Sequence, residues 1–172
     1  LTLLVMPIFG INQGMQPIVG YNYGARKYDR VKEAYKLAAI FATCIVTFGW
    51  IITRLFTEQL VLLFNSKDQE LIDFGIIAIK RFMIFLPVIG FQIVSSNYFQ
   101  AIGKPKHSAI LALSRQVLIL IPALMILPKF FGLIGVLSAG PLADIVSSVI
   151  TGIFIFIEMK RLDTHHESSL VQ

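Results

Sequence analysis

The chain has 172 residues and a mass of 19.2 kDa, with 56% hydrophobic residues, 15% charged residues, a net charge of +5 and a mean hydropathy of +0.76. Ordinary soluble domains are about 25% charged, so a globule of this size could not cover itself with polar surface, and disorder is excluded because disordered chains are apolar-poor and charge-rich. What remains is a chain solvated by lipid, in which the basic balance reflects cytoplasmic loops rather than a nucleic-acid partner.

Leu1 opens an apolar run with neither the basic n-region nor the small-residue cleavage site of a signal peptide. The chain therefore reads as a piece of something longer, begun partway into a helix. A window of about 20 residues, the length that crosses a hydrocarbon core, marks five spans. The first runs from about Leu1 to Tyr23, and the second from Lys36 to Phe56. The third is the charge-free Phe82 to Ile102, the fourth His107 to Leu127 with Arg115 inside it, and the fifth Leu133 to Ile157 with Asp144 inside it. The runs are continuous rather than alternating, which excludes barrel strands. The fold class expected is all-α membrane protein, over residues 1–161, with a polar cytoplasmic tail over 162–172.

Loop charges set the orientation. Arg26, Lys27, Arg30, Lys32 and Lys36 follow the first span, Lys104 and Lys106 the third, and Lys160 and Arg161 the fifth; Arg115 lies nearer this same side. Only Arg54, Lys67, Lys80, Arg81 and Lys129 fall on the other side. The positive-inside rule then places the basic loops and the C-terminus in the cytoplasm of a cell-membrane protein. Between the second and third spans, Glu58 to Phe74 alternates apolar residues with acids and amides about Asn65-Ser66-Lys67-Asp68. That pattern predicts a short amphipathic hairpin on the outer surface. The tail from Thr164 is expected to fray, with His165 and His166 solvated, and no metal site is expected since zinc wants three or four ligands. Cys44, in an apolar run, is expected to be buried.

Polar groups inside a span are costly unless they face a partner or a wet cavity, and each is a functional candidate. The first span holds Asn12, Gln13, Gln16 and Asn22, with Gln13 and Gln16 on one face. Gly10 and Gly14, and Gly20 and Gly24, permit close helix approach, and Pro17 removes a backbone donor and loosens the helix beside the Gln pair. Two readings fit these amides: a cavity wall, or hydrogen bonds between helices. In the third span Gln92 lies near the middle and is the better cavity-lining residue; Ser95 and Ser96 are expected to bond back to their own helix. Arg115 either snorkels to headgroups, pairs with an acid on another helix, or makes a gate-closing contact. Asp144, near the midplane, suits proton coupling, cation binding or a structural hydrogen bond. Apart from His107 at the first residue of the fourth span, no His lies inside a span and no catalytic triad can be assembled, so an enzyme is not expected.

The run Gly10-Ile11-Asn12-Gln13-Gly14-Met15-Gln16-Pro17-Ile18-Val19-Gly20-Tyr21-Asn22-Tyr23-Gly24-Ala25, continuing to Arg30-Val31, closely resembles the eighth helix and following loop of multidrug and toxic compound extrusion (MATE) transporters. Leu63-Phe64 before an acidic turn, Gln100-Ala101-Ile102-Gly103-Lys104-Pro105, Ser114-Arg115-Gln116 and Gly132 to Asp144 continue the resemblance. The resemblance implies helices eight to twelve of a two-lobed, twelve-helix transporter, with the first lobe and the seventh helix as missing partners. It implies export of cationic amphiphilic drugs in exchange for Na⁺ or H⁺, with no cofactor. Some members carry an acid shortly before the residue matching Gln92; here Val88 to Phe91 contain none, so Asp144, the seventh helix or the absent lobe must supply the coupling charge. Gln13, Gln16 and Gln92 are expected to meet substrate, Asp144 the ion, and Pro17 and Arg115 to gate or support. Phe85, Phe91 and Tyr98 are expected to offer adaptable aromatic contacts. A flippase of polyprenyl-linked sugars and a non-transporting scaffold are the alternatives, the former wanting a basic cavity for pyrophosphate. One incomplete lobe is not expected to transport alone.

Overall fold

The computed structural model describes residues 2–63 and 68–170, and every element among them is helical. The elements are α1 (Thr2–Gly24), α2 (Tyr28–Leu55), α3 (Thr57–Leu62), α4 (Gln69–Phe82), α5 (Leu86–Ala101), α6 (Pro105–Leu113), a π-helical segment (Ser114–Leu120) and α7 (Ile121–Leu170). α2 starts with Asp29 in its first turn and ends with Arg54 in its last, both signs favourable to the helix dipole. α4 is capped by Asp68, whose carboxylate accepts the Leu71 N–H at 3.3 Å, and α5 and α6 each carry Pro in the first turn, where no N–H is needed.

Two helical stretches are long and apolar enough to cross a membrane, Tyr28–Leu55 and Pro105–Thr164, or three when α4 and α5 are taken as one span bent by 45°. Pro105–Thr164 is 60 residues, roughly 90 Å of helix against a hydrocarbon core of about 30 Å, so it cannot be a single rod. Gly132, at φ 54° and ψ −135°, breaks it; this left-handed backbone is open to glycine at little cost. After the break the chain doubles back. A Cβ on Gly135 would collide with the Leu127 carbonyl, and Arg115 with Asp144, then Lys104 with Glu158, pair at steadily wider spacing along the two legs. The legs are an antiparallel hairpin, matching the fourth and fifth predicted spans.

The third predicted span divides differently from the expectation. α5 has 16 residues, roughly 24 Å, and α4 adjoins it across a break at residues 83–85 with a bend of 45°. The outer amphipathic hairpin is therefore corrected: its second arm continues as α4 to Phe82 rather than ending at the surface. The centre of that turn, including Phe64, Asn65, Ser66 and Lys67, lies outside the described residues, as do the side chains of His165 and His166. α7 runs on as helix to Leu170, past the point where fraying is expected.

The core forms where α1, α2 and α5 meet. α2 buries Val31, Tyr35, Ala38, Ala42, Val46, Gly49 and Thr53, a stripe at three- and four-residue steps along one face. Cys44 falls between Ala42 and Val46, on the far side of that stripe, and is exposed rather than buried. Its neighbours there are apolar too, with Phe48 67% exposed; a helix apolar all round is one that lipid can surround. α1 and α5 run parallel in one register, since Gln16 bonds Asn97 and Gly20 meets the Ala101 carbonyl. A Cβ added at Gly10, Gly14 or Gly24 would meet nothing within 4 Å, so of these four glycines only Gly20 shows the expected close approach among the described residues.

α2 and α5 touch most closely at Gly90, where a Cβ would lie 2.9 Å from the Ala42 carbonyl oxygen and 3.0 Å from the Thr43 Cα. Both obstacles are backbone, so neither can rotate away. Gly90→Ala is expected to lower stability by about 1–3 kcal/mol, the usual cost of overpacking, read as a fall in the unfolding midpoint of the purified protein in detergent. An unchanged midpoint would mean that the two helices separate freely.

Candidate functional site

A cleft of about 390 Å³ opens between α1, α5 and the start of the fourth span. Its walls are Val5 and Phe9 from α1, Ile89 and Ile93 from α5, and Leu111 and Ala112 from α6; its polar lining is Gln92, Ser96, Asn97 and Arg115. The polar set follows from helix geometry. Gln92, Ser96 and Ile89 recur at three- and four-residue steps on α5 and so share a face. An apolar cavity with a few convergent polar groups is the usual build of a small-molecule site.

Each polar group is anchored. The Gln92 side-chain amide donates to Ser147 Oγ at 2.5 Å, and Ser147 in turn donates to the Ala143 carbonyl at 2.6 Å. The Gln16 amide donates to Asn97 Oδ1 at 3.0 Å, and the Asn97 amide donates to the Ile93 carbonyl at 2.8 Å. Ser96 Oγ lies 3.1 Å from Ser108 Oγ, so it ties α5 to α6 instead of only bonding back to its own helix. Ser95 does bond back, to the Phe91 carbonyl, and also meets the Tyr35 hydroxyl at 2.8 Å.

Arg115 and Asp144 find one another. Arg115 Nε and Nη2 lie 2.8 and 2.6 Å from the same carboxylate oxygen, Asp144 Oδ1. The Arg115 side chain is 33% exposed and that of Asp144 only 6%, so the cation faces the cleft and the anion sits behind it. Arg115 lies in the π-helical segment, a winding that is rare and often found at functional sites. Its last backbone bond runs from the Ile121 N–H to the Gln116 carbonyl, and Pro122 beyond it has no N–H with which to restore the α-pattern.

The other expected residues fall on both sides of the cleft boundary. Gln92 lines the cleft; Gln16 reaches it through Asn97; Gln13 is exposed on α1 away from it, and so is Pro17. Tyr98 is not an adaptable contact: it is wholly buried, packed against Tyr35 and Phe99. Phe85 and Phe91 lie off the cleft lining. Two partners escaped the sequence reading. One is Ser147, and the other is Glu158, 6% exposed and paired with Lys104 at 2.5 Å. The signal for both was present: Asp144, Ser147, Thr151 and Glu158 are all buried on one helical face, at steps of three, four and seven residues with the apolar Ile155 filling the last gap. Among the described residues, no group of three or more His, Cys, Asp or Glu is placed to hold a metal.

Continuous apolar helices, a hairpin broken at glycine and an anchored polar cleft between them define a multi-pass helical membrane protein. The chain belongs to the MatE family, whose model matches residues 1–126. It is 27% identical to the multidrug export protein MepA of Staphylococcus haemolyticus (strain JCSC1435) and 28% identical to MepA of Staphylococcus aureus (strain NCTC 8325 / PS 47), in each case over 96% of this chain and 36% of the relative. Among solved structures it resembles the MATE multidrug transporter DinF-BH, at 42% identity and a TM-score of 0.83 over 89% of this chain and 34% of that one. An inward-facing multidrug resistance MATE family transporter of the MOP superfamily shares the fold, with a TM-score of 0.87 at 24% identity over 95% of this chain and 38% of that one. The chain thus spans about a third of the length of the relatives it matches. The flippase and scaffold alternatives are not favoured.

Proposed function

We propose that the transporter to which this chain contributes exports amphiphilic drug-like compounds from the cell in exchange for Na⁺ or H⁺. The observation that carries this reading is the cleft: apolar walls and anchored amides set among helices of membrane-crossing character. Gln92, with Gln16 acting through Asn97, would shape the polar side of the substrate space, and Asp144 would take part in ion coupling through its bond to Arg115. Because Arg115 already holds Asp144 Oδ1, an ion engaging that carboxylate would meet Oδ2 first and would loosen the pair by competing for its charge. Pro17, inside α1 one residue after Gln16, would let that wall move. The basic loops and the C-terminus face the cytoplasm, and the remaining lobe and seventh helix complete the cavity. The resemblance points to cationic cargo; a cationic centre would need an acid from those remaining parts, since the cleft itself shows none.

Dye efflux from cells expressing the full-length protein tests the reading. Gln92→Ala and Gln16→Ala together are expected to slow efflux by roughly fivefold, the scale of one to two net hydrogen bonds. Gln13→Ala is expected to do less, because Gln13 lies off the cleft. Efflux unaffected by the pair, or a larger loss from Gln13→Ala, would remove the cavity assignment.

A further inference from the structure

Arg115 is the charged member of the cleft lining, and its geometry leaves much of it unspent. A guanidinium has five N–H donors. Nε and Nη2 both point at one oxygen of Asp144, so three N–H bonds are left for other partners. The carboxylate that balances the charge is nearly closed off, while a third of the Arg115 side chain is open. The neighbouring polar groups carry no charge and are already held by the protein: Gln92 by Ser147, Ser96 by Ser108, and Asn97 by Gln16 and the Ile93 carbonyl. A compound entering the cleft therefore meets apolar walls and one cation. An ammonium group placed there would face like charge, whereas a carboxylate or phosphate would gain charge-assisted hydrogen bonds from the planar fork.

We propose that this cleft is an anion-accepting subsite, in which Arg115 holds the acidic group of an amphiphile whose apolar body rests on Val5, Phe9, Ile89 and Ile93. The inference rests on the cleft being the substrate space described above, and it assigns to this lobe the acidic end of an amphiphile, leaving any cationic centre to the remaining parts of the transporter. The acidic group is either that of the cargo or the phosphate of a membrane lipid.

The test uses the full-length transporter in lipid nanodiscs, with fluorescence polarisation of two probes: a xanthene dye bearing a free carboxylate and its ethyl ester. The wild type is expected to bind the acid more tightly than the ester. R115Q/D144N puts two neutral amides in place of the ion pair and removes both charges; it is expected to lower the acid-to-ester affinity ratio about tenfold, the scale of one hydrogen bond to a charged group. R115K, which keeps the charge but not the planar fork, is expected to fall between. An ester preference in the wild type, or the same ratio in R115Q/D144N, overturns the proposal. Adding phosphatidylglycerol to the nanodisc separates the sources. Competition that vanishes in R115Q/D144N identifies lipid phosphate as the bound anion, and absence of competition identifies the solute; both uphold an anion subsite. Dye movement into vesicles, measured in parallel, keeps the two readings apart: discrimination in binding without movement sinks export and leaves the subsite, and movement without discrimination does the reverse.

Discussion

Arg115→Ala is expected to lower the stability of the protein by about 3–5 kcal/mol, the cost of breaking a buried ion pair from one side. The reason is the stranded partner. Asp144 is 4% exposed, and its Oδ1 takes both of its Arg115 contacts. With the guanidinium gone, the carboxylate is left among apolar helices, where water is scarce and an unpaired charge is costly. Asp144→Asn should be milder, because Arg115 is partly exposed and can turn its charge towards the cleft or the headgroups. Arg115→Gln with Asp144→Asn should recover most of the loss, since replacing both partners leaves no orphan charge. Unfolding of the three variants in detergent checks the order. A loss below about 1 kcal/mol for Arg115→Ala, the range of solvated pairs, would mean that water reaches Asp144 freely.

Lys104→Ala is expected to cost about 3 kcal/mol, the lower end of the range for breaking a buried pair, because the Lys104 side chain is 19% exposed and water can partly replace it. Glu158 is the buried partner, contacted by Nζ through both oxygens at 2.5 and 2.6 Å. The pair joins the α5–α6 turn to the second leg of α7. In the same joint His107 stacks on Phe99 with centroids 5.6 Å apart and meets Phe154 edge-on. Loss of Lys104 should therefore raise hydrogen exchange at the start of α6 and around residue 158 together. The exposed pair of Lys32 with Asp163 offers an internal contrast: Lys32→Ala should change stability by less than about 1 kcal/mol. Equal effects at the two lysines would show that burial does not separate them.

Several features of the fold were legible because they are local. An apolar run declares its helix whatever surrounds it, and Pro87 and Pro105 stand in the first turns of α5 and α6, where a missing N–H costs nothing. The antiparallel hairpin that begins at α6 needed only two lipid-length runs with a short gap between them. The third span was harder. The charge-free stretch from Phe82 to Ile102 looked sufficient by itself, yet the helix breaks at residues 83–85 and reaches span length only when the bent α4 is counted with it. Hydropathy sees composition, not backbone direction, so a bend between two apolar pieces leaves no trace in it. Cys44 failed for a related reason: an apolar neighbourhood means burial in a soluble protein, whereas here lipid is an equally good solvent for it.

The site divides along the same line. Residue type and depth alone placed Gln92 and Arg115 at interesting positions, since an amide or guanidinium inside a span must find company. Which company was decided by phase and register. Gln13 and Gln16 are three residues apart and equivalent in composition, but only Gln16 points at Asn97, because α1 and α5 run parallel at that offset. Arg115 meets Asp144, 29 residues away, because the chain reverses at Gly132 and the π-helical segment sets the direction of the guanidinium. Sequence by itself determined that this is a lipid-solvated helical chain with a few polar groups that need partners, since hydration energy is a property of each residue. Tertiary structure decided the partners, and with them the sign of the charge shown to the cleft, since electrostatic pairing depends on distances that only the packed helices set.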